Sequence, residues 1–67
     1  MKISYKRLWK LLIDRDMLKK DLAVKAEIST TSIAKLGKNE NVNTDILLKI
    51  CKALECDLQD IMELIEK

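Results

Sequence analysis

Thr30, Thr31, Ser32, Lys35 and Lys38 fall within a stretch, residues 30–38, that contains no carboxylate. Hydroxyls both donate and accept hydrogen bonds, whereas ammonium groups only donate. A surface made of the two suits a polar or anionic partner. Two consecutive threonines are poor choices for helix propensity, so a helix that carries them answers a demand for exposed hydroxyls. Charge is unevenly spread along the chain. Residues 1–25 hold eight basic groups against three acids, and residues 26–67 hold five against eight, for a net charge of +2. A basic half and an acidic half imply one face that attracts polyanions; the alternative is an ordinary solvated surface.

Other chemistries lack their residues. There is no histidine, which excludes His-based triads, HExxH zinc sites and imidazole proton shuttles. The single glycine, Gly37, cannot build a glycine-rich phosphate cradle. Two cysteines without histidine cannot build an N/S four-ligand zinc site in one chain. No enzyme, metal site or cofactor is expected. Cys51 and Cys56 sit in apolar periodicity and read as small buried hydrophobes rather than a disulfide. The run Leu11–Ile13 is too short for a signal peptide, and no segment has the length of a membrane span. The expected location is cytoplasmic.

The elements that position the polar stretch are short helices. The chain has 67 residues, 48% apolar and 36% charged, with no proline. That is one domain, 1–67, with a small core: a chain near this size buries about 60% of the surface its unfolded form exposes. A first helix is expected over Ser4–Arg15, capped by Ser4, with Leu8, Leu11 and Leu12 inward. Trp9 either closes the core edge or joins a partner interface. Met17 plugs the core from the following turn. A second helix spans Lys19–Lys25, burying Leu22, Ala23 and Ala26. Ile28 is buried in a turn and Ser29 caps a third helix, Thr30–Lys38, with Ile33 and Leu36 inward. Residues 39–43 form a loop whose asparagines suit left-handed backbone. Asn43 or Thr44 caps a fourth helix, Thr44–Leu54, with Leu47, Ile50, Cys51 and Leu54 as its stripe. Asp57 caps a fifth, Leu58–Glu66, carrying Leu58, Ile61, Met62 and Ile65. The fold class is therefore all-α, with five helices.

Within this series, residues 18–36 (LKKDLAVKAEISTTSIAKL) have the layout of a helix-turn-helix. Leu22 anchors the first helix, and Ala23 is small enough for the second to cross closely. Ile28 sets the crossing from the turn. Ile33 and Leu36 anchor the second helix, whose outer face stays free to enter a DNA major groove.

The same residues resemble the Cro and phage-repressor type helix-turn-helix regulators, the XRE family. The pattern Leu22-Ala23, Ile28-Ser29 and Ile33 carries the likeness, extended by TDILLKICKAL and CDLQDIM. The resemblance covers about residues 4–66 and is nearest to small stand-alone bacterial members. It implies a lambda-repressor-like fold and sequence-specific binding of double-stranded DNA to regulate transcription, as a repressor. It implies phosphate contacts by Lys19, Lys20, Lys38 and the Ser29 cap, base contacts by Thr30, Thr31 and Ser32, and a contact by Lys35 to bases or phosphate. Asn39 follows the recognition helix, and Asn43 with Thr44 opens a helix whose amides hold a phosphate. The threonine methyl suits the thymine methyl and lysine suits guanine.

The chain departs from the family pattern in four places. Asp16 and Glu27 stand where a turn glycine is common, so Glu27 either adopts an unusual backbone or the turn differs. Leu12 and Gly37 occupy the positions of a family Arg–Glu pair, implying an apolar contact instead. The loop after the recognition helix is one residue shorter, with Asn39 in place of glycine. Family members bind as two-fold dimers, which implies a homodimer; Trp9, Ile13, Met62, Leu64 and Ile65 either form its face or complete the core. No small-molecule effector is expected. The competing class is a protein-interaction module on the same scaffold.

Overall fold

In the computed structural model, which describes residues 1–66, the elements run β1 (Lys2–Ser4), α1 (Lys6–Asp14), α2 (Lys19–Ala26), α3 (Thr30–Gly37) and α4 (Thr44–Leu54). A single 3₁₀ turn (Leu58–Asp60) and β2 (Glu63–Ile65) follow. Apolar residues of the four helices and the turns between them meet in one core. Tyr5, Leu8, Leu22, Leu36, Ile50, Leu54 and Ile61 are fully enclosed, with Leu12, Ala23, Ala26, Ile28, Ile33 and Leu47 around them. The small side chains Ala23 and Ala26 on α2 let neighbouring helices approach closely, and α2 packs against both α3 and α4. Met17 is half-buried against the core, as the turn plug expected of it. Cys51 and Cys56 are free thiols, half-buried rather than enclosed.

All four helices end in the same way. Within two residues of each helix end a residue adopts left-handed backbone: Asp16 (φ 54°), Glu27 (φ 56°), Asn39 (φ 56°) and Glu55 (φ 52°). The N–H of the next residue reaches back five positions: Met17 to Leu12 O (2.9 Å), Ile28 to Ala23 O (3.0 Å), Glu40 to Lys35 O (2.9 Å) and Cys56 to Cys51 O (3.0 Å). The left-handed residue's own N–H bonds a carbonyl three positions back. This is the Schellman motif, which satisfies the orphan carbonyls of a helix end. Three of the joined pairs, Leu12 with Met17, Ala23 with Ile28 and Cys51 with Cys56, are apolar, as the motif favours. Glu27 thus takes the unusual backbone. Glycine, which bears no steric penalty there, is used at none of the four positions. The one glycine, Gly37, lies inside α3 without positive φ.

The sequence expectation fails at both ends of the chain. No fifth helix forms. After Asp57, whose N–H donates to Asp60 Oδ2 (3.0 Å), one 3₁₀ turn delivers Ile61 into the core, and the chain then extends as β2. Likewise α1 starts at Lys6 rather than Ser4. Ser4 is a buried strand residue whose Oγ accepts from Lys6 N–H (3.3 Å). Each half has the other as its reason: β1 and β2 pair antiparallel, with Lys2 opposite Ile65, Ile3 opposite Leu64 and Ser4 opposite Glu63. An isolated helix as short as the one expected over 58–66 is marginal in water. Here a strand from the far end of the chain supplies the competing backbone hydrogen bonds. Arg7 reinforces the closure, with Nε donating to Glu63 Oε2 (2.9 Å) and Nη1 to Gln59 O (2.8 Å).

Candidate nucleic-acid interface

The polar stretch singled out in the sequence lies on α3, which follows α2 across the Glu27–Ile28 turn. Ser29 is in extended backbone and caps α3: its Oγ accepts from Ser32 N–H at 3.2 Å and lies 3.2 Å from Ser32 Oγ. Ile33 and Leu36 face the core, leaving Thr30, Thr31, Ala34 and Lys35 exposed and Ser32 half-buried. A methyl group, Ala34, therefore sits among the hydroxyls and ammonium groups of the outer face, a feature visible only once the helix phase is fixed.

Two predicted site residues also have structural duties, of which local patterning revealed only the second, the capping of α4. Asn39 Oδ1 accepts from Tyr5 N–H (3.0 Å), and the Tyr5 hydroxyl donates to Glu40 O (3.1 Å). Buried Tyr5, at the start of α1, thereby holds the loop that leaves the recognition helix. Asn43 is the cap of α4, its Oδ1 accepting from Ile46 N–H at 3.0 Å. Thr44 is the first residue of α4 and exposed, and Asp45 adds a negative charge to that first turn.

Lys19, Lys20, Lys35 and Lys38 are all exposed, and among the described residues no carboxylate lies within ion-pair distance of any of them. Asp21, the acid nearest in sequence to Lys19 and Lys20, is occupied at the start of α2, its Oδ2 accepting from Leu18 N–H (2.9 Å). Lys19 is the one of the four with a defined partner. Its Nζ stands 4.6 Å from the centroid of the half-buried Trp9 ring. Among the described residues outside the helix's own backbone and the glycine's chain neighbours, the same ammonium is the one group that a Cβ on Gly37 would meet within 4 Å, at 3.8 Å. The apolar Leu12–Gly37 contact implied by family positions is thus absent: Leu12 is buried, Gly37 is exposed, and the cation of Lys19 stands beside it. Among the residues proposed for a dimer face, Ile13 (73%) and Leu64 (61%) are exposed, whereas Trp9, Met62 and Ile65 are half-buried.

Short helices around one core, a capped α3 with an acid-free outer face, and unpaired lysines at its margins define the class: a helix-turn-helix domain. The family model described as the Cro/C1-type HTH DNA-binding domain matches residues 7–67, and the chain belongs to that family. It is similar to a solved structure described as the transcriptional regulator VanUg, with a TM-score of 0.93 and 52% identity over 98% of this chain and 88% of that one. Nothing among the curated proteins matches it. Among the described residues, no helix is long and apolar enough to cross a membrane.

Proposed function

We propose that this chain regulates transcription as a repressor, binding double-stranded DNA with α3 in the major groove. The observation that carries this is the outer face of α3, hydroxyls and ammonium groups with no carboxylate, mounted on a helix-turn-helix. Its likeness to VanUg, a transcriptional regulator, supports the regulatory role. Lys19, Lys20 and Lys38, with the amide end of α3 at Ser29, contact phosphates and release counterions, so affinity falls steeply with salt. Thr30, Thr31, Ser32 and Lys35 meet base edges and carry the sequence preference. Asn39 and Asn43 hold the following loop and the start of α4 against the backbone, their oxygens engaged and their amide N–H groups left for phosphate. The working unit is a two-fold dimer reading half-sites about 34–36 Å apart, with exposed Ile13 and Leu64 in its face.

The test is titration of fluorescent duplex fragments, including the DNA upstream of the protein's own gene, at two salt concentrations. Saturable retention of particular fragments that weakens steeply with salt is expected. Absence of binding at low salt overturns the reading. Sedimentation of the free and bound protein reads the stoichiometry, and one chain per complex overturns the dimer.

A further inference from the structure

We infer that Trp9 is a positioning residue for DNA binding, its ring face holding the Lys19 ammonium at the carboxyl-terminal end of α3. The inference rests on the DNA-binding reading above and assigns that site a member it lacked. Three observations converge on it. Lys19 Nζ lies 4.6 Å from the Trp9 centroid, within the range where a ring quadrupole attracts a cation. The same Nζ lies 3.8 Å from where a Gly37 Cβ would stand, and Gly37 is the last residue of α3. A helix end of that polarity is negative and favours a cation. No carboxylate among the described residues pairs with Lys19, so its charge is held in place without being neutralised.

The physical consequence is a cost removed in advance. A free lysine loses rotamer freedom when it settles on a phosphate. Lys20, Lys35 and Lys38 meet that cost in full, because nothing among the described residues orders their ammonium groups. Lys19 is ordered before DNA arrives, between α1 and the end of α3. Because Trp9 offers a π face and no charged acceptor, the ammonium N–H donors that point away from the ring stay available. An acid in that place would compete with phosphate; a tryptophan does not.

A double-mutant cycle on the best-retained fragment tests this, using wild type, W9L, K19M and W9L/K19M, with W9F as the conservative variant. Thermal melts confirm that each is folded. K19M is expected to lower the salt slope by about one. W9L is expected to weaken binding about two- to five-fold in the wild-type background, W9F less so, and W9L to have no further effect once Lys19 is gone. Trp9 is the only tryptophan, so its emission should shift on DNA binding in wild type and remain unchanged in K19M. An equal W9L loss in both backgrounds assigns Trp9 a packing role and overturns the inference. Wild type that binds no fragment instead overturns the DNA reading itself.

Discussion

Glu27 places a charged side chain on backbone at φ 56°, between the two helices of the motif. Left-handed backbone costs a residue with a Cβ about 1 kcal/mol or more, while glycine takes it freely but gives up more entropy on folding. Glu27→Gly is therefore expected to raise stability by about 0.5–1 kcal/mol, seen as a few degrees in the melting midpoint of a domain this size. A lower midpoint would show that the Glu27 side chain makes a contribution larger than its strain. At Lys35 the measurement is binding. If its ammonium reads a base, Lys35→Ala costs about 1–3 kcal/mol at the preferred site and relaxes the preference there. A loss of equal size on every sequence would instead place Lys35 on phosphate. Residues whose duties were local were legible from sequence. Ser29 and Asn43 cap helices as their types suggest, and Ile28, Ile33 and Leu36 point inward. Tyr5 was not legible, because its partners Asn39 and Glu40 are more than thirty positions away.

At the scale of elements, helix periodicity was a sound guide wherever a helix had its own Schellman end. Apolar pairs five apart, Leu12 with Met17, Ala23 with Ile28 and Cys51 with Cys56, mark three of the four stops and could have been read directly. Periodicity misled over residues 58–66. Leu58, Ile61, Met62 and Ile65 fit a helical stripe, but Leu58 is 46% exposed and Ile61 alone enters the core completely. What decides that segment is pairing with β1, and a three-residue strand such as Lys2-Ile3-Ser4 is too short to announce itself. The helix α3 itself holds an unused reserve. Gly37 is helical without positive φ, and a Cβ there meets only the Lys19 ammonium at an ordinary contact distance. Gly37→Ala is expected to stabilise the fold by about 0.5–1 kcal/mol through backbone entropy. The check is a denaturant midpoint that rises with the m-value unchanged. DNA affinity should stay within the range of wild type, because the methyl leaves the cation of Lys19 in place.

Across the whole molecule, the core is closed at its carboxyl-terminal side by the end of α4, the 3₁₀ turn and the two thiols. Arg15 reaches across from the end of α1 to donate to Leu54 O, so this corner joins first helix to last. Burial pushes both thiols above their ordinary value of 9.0, and burial together with the nearby Cys51 thiol and Asp60 carboxylate takes Cys56 to about 11. Burial also raises the Tyr5 phenol above 10.0, against a smaller lowering by the backbone of Val42. At neutral pH both thiols keep their protons in the folded and unfolded chain alike, so they add no pH dependence and react slowly with alkylating reagents. Above pH 9 the unfolded chain releases thiol protons that the folded chain retains. Stability must then fall as pH rises from about 9 towards 11. Urea midpoints measured across that interval should decline, and Cys51→Ala/Cys56→Ala should decline less steeply, leaving the part that belongs to Tyr5. An equal decline in the two proteins would mean that the thiols titrate alike in the folded and unfolded chain, and that this corner is open to water.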